Sequence, residues 1–464
     1  MKFTRKQVKD SLFSKKIAII GFGLEGRSSY KFIRSIDKKN IISIYDNADI
    51  DESIFCKDKQ VNLFAKSKLK KVDFESYDLL LKSPGVPFSK IKKKYHNKIE
   101  GQASLFLKWF GDQTIGITGT KGKSTCSSLC YHLLKEGGIN VLLGGNIGVP
   151  LFDLIPKVKK DTWVVAELSC HQLFNIDQSP HIAVLLNLFE EHLDYYKSVD
   201  QYFRSKVNIF KHQKEEDVLI YNFDDTEIKK YIKEVGHAKL TSYSLRNKKA
   251  DLSIVKDKLS SKLFRGKDKA IESKLIGKIN YYNIMPAIAV ANEAGLSKTK
   301  IFDGLKTFKP LPHRLEYLGK VEGVSFVNDS ISTIPQSSIA AVKAVGKVGA
   351  LILGGQDRGI DYDPLIQFLL KKKINNLVFF DRSGLRMYEL LMAAEPQLET
   401  TRNVFVTDEF RKVVKFCLFH TKSGQVCLLS PASPSFGKFK NFIDRGNKFK
   451  SLILEISQAE NFDP

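Results

Sequence analysis

Residues 113–136 read as a strand, a glycine–lysine loop and a helix in unbroken succession. The apolar run Gln113–Thr118 leads into Gly119-Thr120-Lys121-Gly122-Lys123-Ser124-Thr125, and a helical stretch follows from Ser124 to Glu136. Such a loop points backbone N–H groups at phosphate oxygens, with the helix N-terminus behind them. Lys123 is placed to reach the β- and γ-phosphates, and the Ser124 hydroxyl to bind Mg²⁺. The strict spelling of this loop has glycine at position 117, where this chain has Ile117. The loop is therefore a variant, and it demands a parallel α/β sheet around it.

A phosphate loop needs a carboxylate for its metal. The apolar strand Trp163-Val-Val-Ala ends in Glu167, which is placed as that ligand. The alternative is an ordinary strand-end glutamate. The next strand, His181–Leu186, runs into Asn187-Leu-Phe-Glu-Glu-His192-Leu-Asp194. Loops after parallel strands are where active-site residues gather, so His192 is a candidate. Ser198-Val-Asp-Gln201 spells a capping box that opens a helix. On that helix Tyr202, Phe203, Lys206, Val207 and Phe210 share a stripe. A lysine there either snorkels to water or is desolvated into a nucleophilic amine that can take up CO₂ as a carbamate.

A second glycine cluster lies near the start. Gly21-Phe-Gly23-Leu24-Glu-Gly26 follows the strand Lys16–Ile20, and Asp46 closes the strand Ile41–Tyr45 twenty residues on. This is the pattern of a nucleotide-binding turn with an acid for a ribose or base, or of a tight turn in an α/β domain.

The 464 residues suggest about three domains. Short apolar runs alternate with amphipathic stretches almost throughout, which reads as βα units. Breaks are expected near residue 105 and at Lys309-Pro310-Leu311-Pro312, giving segments 1–105, 106–310 and 311–464. The last also alternates, with strands at Ala350–Leu353, Leu377–Phe380 and Val426–Leu429. At 43% hydrophobic and 27% charged the chain is globular.

The net charge of +23 admits two readings. A basic patch could hold nucleic acid, or the lysines are spread over solvated faces. Their short runs along the whole chain (Lys70–Lys71, Lys92–Lys94, Lys371–Lys373) favour the second. The polar start and the short run Ile17–Ile20 offer neither a signal core nor a membrane span. Cys56, Cys126, Cys130, Cys170, Cys417 and Cys427 form no CxxC pair. Reduced thiols, a cytoplasmic location and packing rather than metal at Cys126 and Cys130 are expected.

Taken together, the phosphate loop, Gly144-Gly-Asn146-Ile-Gly148, Glu167-Leu-Ser, Asn187…His192-Leu-Asp194, Lys206, Gly277-Lys-Ile-Asn280-Tyr-Tyr-Asn283, His313-Arg314 and Asn328-Asp329-Ser330 resemble the Mur ligase family in order and spacing. Gly354-Gly-Gln-Asp-Arg358-Gly-Ile-Asp361 and Ser430-Pro-Ala-Ser-Pro-Ser435-Phe436…Phe442…Arg445-Gly446 resemble the branch that adds D-glutamate to UDP-N-acetylmuramoyl-L-alanine.

The resemblance implies a uridine-nucleotide domain, a central ATPase domain and a Rossmann-like C-terminal domain. It implies an ATP- and Mg²⁺-dependent amide ligase of peptidoglycan precursor synthesis, acting as a monomer without nucleic acid or membrane insertion. By position, Gly119–Thr125 with Asn283, Arg314 and Asp329 would hold ATP. Ser124, Glu167, His192 and a carbamylated Lys206 would serve the metal. Leu24, Asp46, Asn47, Asn146 and His192 would hold the UDP substrate, and Thr333, Arg358, Ser435, Phe436 and Phe442 the glutamate.

The chain departs from the family pattern at Ile331-Ser-Thr-Ile334 (often Lys-Ala-Thr-Asn), at Arg358 (often Lys), and at Phe189 and Ile279. An L-glutamate-adding relative and a folylpolyglutamate synthase-like ligase are the neighbouring alternatives. The glycine turn at 21–26 argues against the synthase. A nicotinamide oxidoreductase would leave Lys123 and Glu167 unexplained, and a nucleic-acid NTPase would leave the C-terminal blocks unexplained.

Overall fold

The computed structural model describes residues 5–55, 58–191, 195–264 and 269–459. Three sheets organise the chain. The first contains β1 (Ile17–Ile20), β2 (Ile42–Tyr45), β3 (Val61–Phe64), β4 (Leu79–Lys82) and β5 (Ile99–Glu100), in the order β3-β2-β1-β4-β5. All neighbours run parallel. β1, β2 and β4 are buried along their whole length, as apolar runs covered on both faces must be.

The second sheet contains β6 (Thr114–Thr118), β7 (Val141–Gly145), β8 (Trp163–Glu167), β9 (Ile182–Leu185), β10 (Val218–Asn222), β11 (Lys239–Ser244), β12 (Leu252–Val255), β13 (Lys258–Ser261) and β14 (Lys269–Ala270). Its order is β14-β13-β12-β11-β10-β9-β6-β8-β7. β6 lies between β8 and β9, parallel to both, so Ile117 pairs with Glu167 on one side and Val184 on the other. Strand order reverses here, which opens a crevice at the C-terminal end of β6.

The third sheet contains β15 (Glu316–Val321), β16 (Val324–Asn328), β17 (Val348–Gly354), β18 (Asn376–Phe380), β19 (Asn403–Thr407) and β20 (Val426–Leu429), in the order β15-β16-β20-β17-β18-β19. Only β15 pairs antiparallel. The strand at 350–353 is longer than the apolar run suggests, because Val348 and Gly354 also pair with neighbours.

The chain divides into two compact units. One gathers the described residues up to Ser273 with Tyr281–Phe308; the other gathers Lys274–Asn280 with the described residues from Lys309 on. Within the first unit, the two sheets are joined through aromatic packing. The Phe152 ring packs at a tilt against Phe32 and Trp109, with ring centres 5.0 and 5.6 Å apart. Ser28 donates to Asp153 (2.7 Å), and Gln102 to the Glu25 carbonyl (3.0 Å). Cys126 and Cys130 are buried in this unit's helix Lys123–Glu136. No described helix is long and apolar enough to cross a membrane.

The capping box at Ser198 is only half made. Ser198 Oγ accepts from the Gln201 amide (3.1 Å), but Gln201 Oε1 reaches past Ser198 to the Lys197 amide (2.8 Å). A complete box occurs at Ser169 and Gln172, just after β8.

The seam between these sheets holds an acid, half-buried Glu25, and a base, buried Lys82. Gln172 Nε2 donates to Glu25 Oε1 (2.7 Å), and Lys82 donates to the Ser83 and Val86 carbonyls (3.1 and 2.9 Å). Burial raises the Glu25 carboxyl to about 7 against the opposing effects of Gln172 and Lys82. Burial likewise lowers Lys82 to about 8. Between the ordinary value of 4.5 and 7, folded Glu25 binds a proton that the unfolded chain does not. Stability from this group therefore falls as pH rises through that window. Glu25→Gln is expected to raise Tm at pH 8 by the equivalent of roughly 1–3 kcal/mol and to change little at pH 4.5. Thermal melts at the two pH values test this.

Candidate active site

The loop after β6 turns into the helix Lys123–Glu136 through Gly122, which sits at φ +89°. A Cβ at Gly122 would also overlap Asn283 Oδ1, so only glycine lets Asn283 pack against the loop. The first turn of the helix carries no acid, which leaves its N-terminus open to an anion.

The loop is held from the side by residues 187–189, beyond β9. The Thr120 amide donates to the Asn187 carbonyl (3.0 Å). Asn187 Oδ1 accepts from the Lys121 amide (2.8 Å) while its Nδ2 donates to the Lys121 carbonyl (3.0 Å). Thr120 Oγ1 accepts from the Phe189 amide (3.0 Å) and meets the Tyr202 hydroxyl at 3.2 Å. Lys121 pairs with Glu191. Sequence reading placed Asn187 on an active-site loop but missed this clamp. Its position directly after a parallel strand was the available signal.

Two ammonium groups face the same loop, half-buried Lys123 and buried Lys206. Lys123 Nζ donates to the Gly119 and Thr120 carbonyls at 2.9 and 3.0 Å. Lys206 Nζ donates to the Gly119 carbonyl at 3.0 Å and lies 5.0 Å from the centre of the Tyr202 ring. Lys206 is 1% exposed. Burial first, and the Lys123 charge second, push its amine down to about 7. Burial also lowers Lys123, against the charge of Glu167.

Glu167 ends β8 and is 1% exposed. Asn146 Nδ2 donates to its Oε1 at 2.7 Å, and the Asn146 amide to its carbonyl at 2.8 Å. Glu167 Oε2 is buried with no hydrogen-bond partner among the described residues. A buried orphan carboxylate oxygen is costly unless a cation meets it. Glu167 and the buried Ser124 therefore fit Mg²⁺. His192, with Leu193 and Asp194, lies outside the described residues. Among the described residues no group of three or more His, Cys, Asp or Glu side chains gathers as a metal site. Thr125 is half-buried, on the first turn of the loop's helix.

In the N-terminal sheet the glycine turn follows β1. A Cβ at Gly26 would overlap the Gly21 carbonyl, so the turn and its helix approach too closely for any other residue. Asp46 is already engaged: its Oδ2 accepts from the Phe22 amide (2.5 Å) and its Oδ1 from the Ala48 amide (2.9 Å). Leu24 is 70% exposed and Asn47 is exposed.

Arg314, Asp329, Thr333, Arg358, Ser435, Phe436 and Phe442 belong to the second unit. Asp329 Oδ2 accepts from Ser332 (2.5 Å) and Ser430 (2.8 Å), and Oδ1 from the Leu315 amide (3.2 Å). Burial raises its carboxyl to about 6 against the two serine bonds. The Arg358 guanidinium is exposed, lies 5.2 Å from the centre of the Phe436 ring, and donates to Gln356 (2.9 Å). Ser435 is buried, Phe436 is exposed, and Thr333 and Phe442 are half-buried.

Residues 117–291 match the Mur ligase middle domain. The UDP-N-acetylmuramoylalanine–D-glutamate ligase of Clostridium tetani is 31% identical, over 97% of this chain and 99% of its own length. That of a Geobacillus species is 31% identical over 95% and 98%. Among solved structures, UDP-N-acetylmuramate–alanine ligase MurC of Thermotoga maritima superposes with a TM-score of 0.58 at 15% identity, covering 96% of this chain and 100% of the other. MurF ligase of Thermotoga maritima in complex with ADP gives 0.58 at 17%, covering 91% and 95%.

Proposed function

The chain belongs to the Mur ligase family, and on that premise we propose that it joins the α-amine of D-glutamate to the alanyl carboxyl of UDP-N-acetylmuramoyl-L-alanine. The observation that carries this reading is the end-to-end match to relatives of that name, in a chain whose phosphate loop keeps two lysines against one carbonyl.

The reaction has two steps. An alanyl carboxylate oxygen attacks the γ-phosphorus of ATP, the bond to the β-phosphate oxygen breaks, and ADP leaves. The glutamate amine then attacks the acyl carbon of the resulting acyl phosphate. The tetrahedral adduct collapses, the carbon–oxygen bond to phosphate breaks, and the amide nitrogen loses its proton. In the first step the loop amides and Lys123 hold the phosphates and offset charge growing on phosphoryl oxygens. Asn283, Arg314 and Asp329 are assigned to the nucleotide. Mg²⁺, when bound, would add Lewis-acid polarisation of the phosphates. Ser124 and Glu167 would hold it, with His192 and a carbamylated Lys206 completing the set.

Carbamylation suits the place of Lys206. The neutral amine needed for attack on CO₂ is populated near neutral pH. A carbamate keeps one N–H for the Gly119 carbonyl. It also turns repulsion from Lys123 into attraction.

We assign Leu24, Asp46, Asn47, Asn146 and His192 to the UDP substrate and Thr333, Arg358, Ser435, Phe436 and Phe442 to glutamate. Arg358 offers a fork for a carboxylate, which suits a dicarboxylate better than a diamino acid. Substrates of this kind place the enzyme in the cytoplasm, and a monomer is expected.

The test is ADP release with UDP-N-acetylmuramoyl-L-alanine and each enantiomer of glutamate. Release is expected only with acceptor and D-glutamate together. Product from L-glutamate alone overturns the stereochemical assignment. ADP release driven by DNA or RNA without acceptor overturns the ligase reading.

A further inference from the structure

Arg445 is the largest fully buried side chain among the described residues, at 0% exposure. It lies on the helix Phe442–Ala459, and its guanidinium makes five hydrogen bonds. Nε donates to Ser330 Oγ (3.1 Å), Nη2 to the Ser330 and Ser433 carbonyls (2.9 and 3.0 Å), and Nη1 to the Gly354 and Pro434 carbonyls (3.3 and 3.4 Å). No carboxylate among the described residues pairs with it. Burial lowers it to about 9, so it stays cationic at neutral pH.

The five acceptors are not scattered. Ser330 follows β16, Gly354 ends β17, and Ser433 and Pro434 follow β20. These are adjacent parallel strands, in the order β16-β20-β17, and all three loops leave their C-terminal ends. Each loop carries a residue assigned above to glutamate: Thr333 lies three residues after Ser330, Arg358 four after Gly354, and Ser435 next to Pro434. The fit is close enough that a Cβ on Gly355 would overlap the Pro434 carbonyl and approach Arg445 Nη1 to 2.9 Å.

We propose that Arg445 is a positioning residue for the amino-acid substrate: one forked cation that sets the spacing of the three loops and leaves a positive field, unanswered by any carboxylate, behind the glutamate pocket. This rests on the glutamate assignment made under the proposed function. A planar fork with five donors is what lets one group reach three strands, and lysine, with three donors at one point, cannot reproduce it. Carbonyl dipoles stabilise the charge without cancelling it, and the remaining field favours a dianionic amino acid over a neutral one.

The experiment is steady-state kinetics of Arg445→Lys with each substrate varied, beside wild type and a thermal melt. The KM for glutamate is expected to rise at least tenfold, while KM for ATP and for the UDP acceptor stay within about threefold. Ser330→Ala, which removes the Nε contact and the Ser330 hydroxyl's bond to the Phe442 carbonyl (2.8 Å) but keeps the Ser330 carbonyl that accepts from Nη2, is expected to raise the glutamate KM by a smaller factor. Arg445→Gly assayed with added guanidinium, at concentrations that leave wild type unaffected, is expected to recover part of its glutamate affinity. Equal changes in all three KM values, or an unchanged glutamate KM in a folded Arg445→Lys, overturn the proposal. If Arg445→Lys does not fold, an unchanged glutamate KM in Ser330→Ala overturns it instead. If wild type itself shows no glutamate-dependent ADP release, the functional reading fails and not the role of Arg445 within it.

Discussion

Lys123→Ala is expected to slow ADP formation by at least about 100-fold, the equivalent of about 3 kcal/mol of transition-state stabilisation. Lys123 opens the helix behind the phosphate loop, and its ammonium already faces the loop, bonded to the Gly119 and Thr120 carbonyls. Exchanging those carbonyls for phosphoryl oxygens needs only movement of the side chain. Alanine removes a cation where negative charge develops, and in a half-buried site water replaces it poorly. Arginine is not expected to restore the rate, since its rigid fork does not fit the space of a point charge. A melt within a few degrees of wild type, with nucleotide still bound, would locate the defect in the transition state. Acyl-phosphate formation at near wild-type rate would contradict the assignment of Lys123.

Lys206→Ala is expected to lose comparable activity and to recover part of it with acetate or formate. The substitution empties a fully enclosed site beside Gly119, and a short carboxylate supplies the two oxygens that the carbamate would have supplied. In wild type equilibrated with ¹³CO₂, a carbamate carbon resonance that disappears in Lys206→Ala is expected. The signal should strengthen as pH rises through about 7, because the neutral amine is the reactive form. The Lys123→Ala protein provides a cross-check: with the neighbouring charge gone, the Lys206 amine should titrate higher. Full activity of Lys206→Ala, or wild type without the resonance, sinks the carbamate.

The parts of the site legible in the sequence are those that lie close together in it. The phosphate loop is one contiguous stretch from β6 into its helix, and its chemistry comes from backbone amides whose direction that turn alone dictates. The place of Lys206 beside Tyr202, Phe203, Val207 and Phe210 was legible, because a 3.6-residue period puts all five on one face; whether its ammonium snorkels to water or is buried was decided by the tertiary structure, which buries it. The sheets were legible as classes, since apolar runs such as Ile17–Ile20 suit only strands covered on both faces.

What could not be read depends on groups far apart in the chain. Asn187 clamps a loop 66 residues away because β9 is the strand beside β6, an adjacency that nothing near residue 187 announces. Glu167 could be placed at a strand end, but its use of one oxygen on Asn146 and the isolation of the other follow from β7 pairing with β8. Asp46 was read as an acid available for a ribose or base; its bond to the Ala48 amide is a local turn contact, but its engagement with the Phe22 amide appears only once β1 and β2 lie side by side. Arg445 stood in a recognisable motif, yet its five acceptors come from loops 11 to 115 residues distant. Short-range periodicity and turn chemistry settle which elements form and which faces they bury. Strand order settles which loops meet, and with it the partner of every buried charge, because a desolvated ion must be satisfied by whatever the packing brings to it.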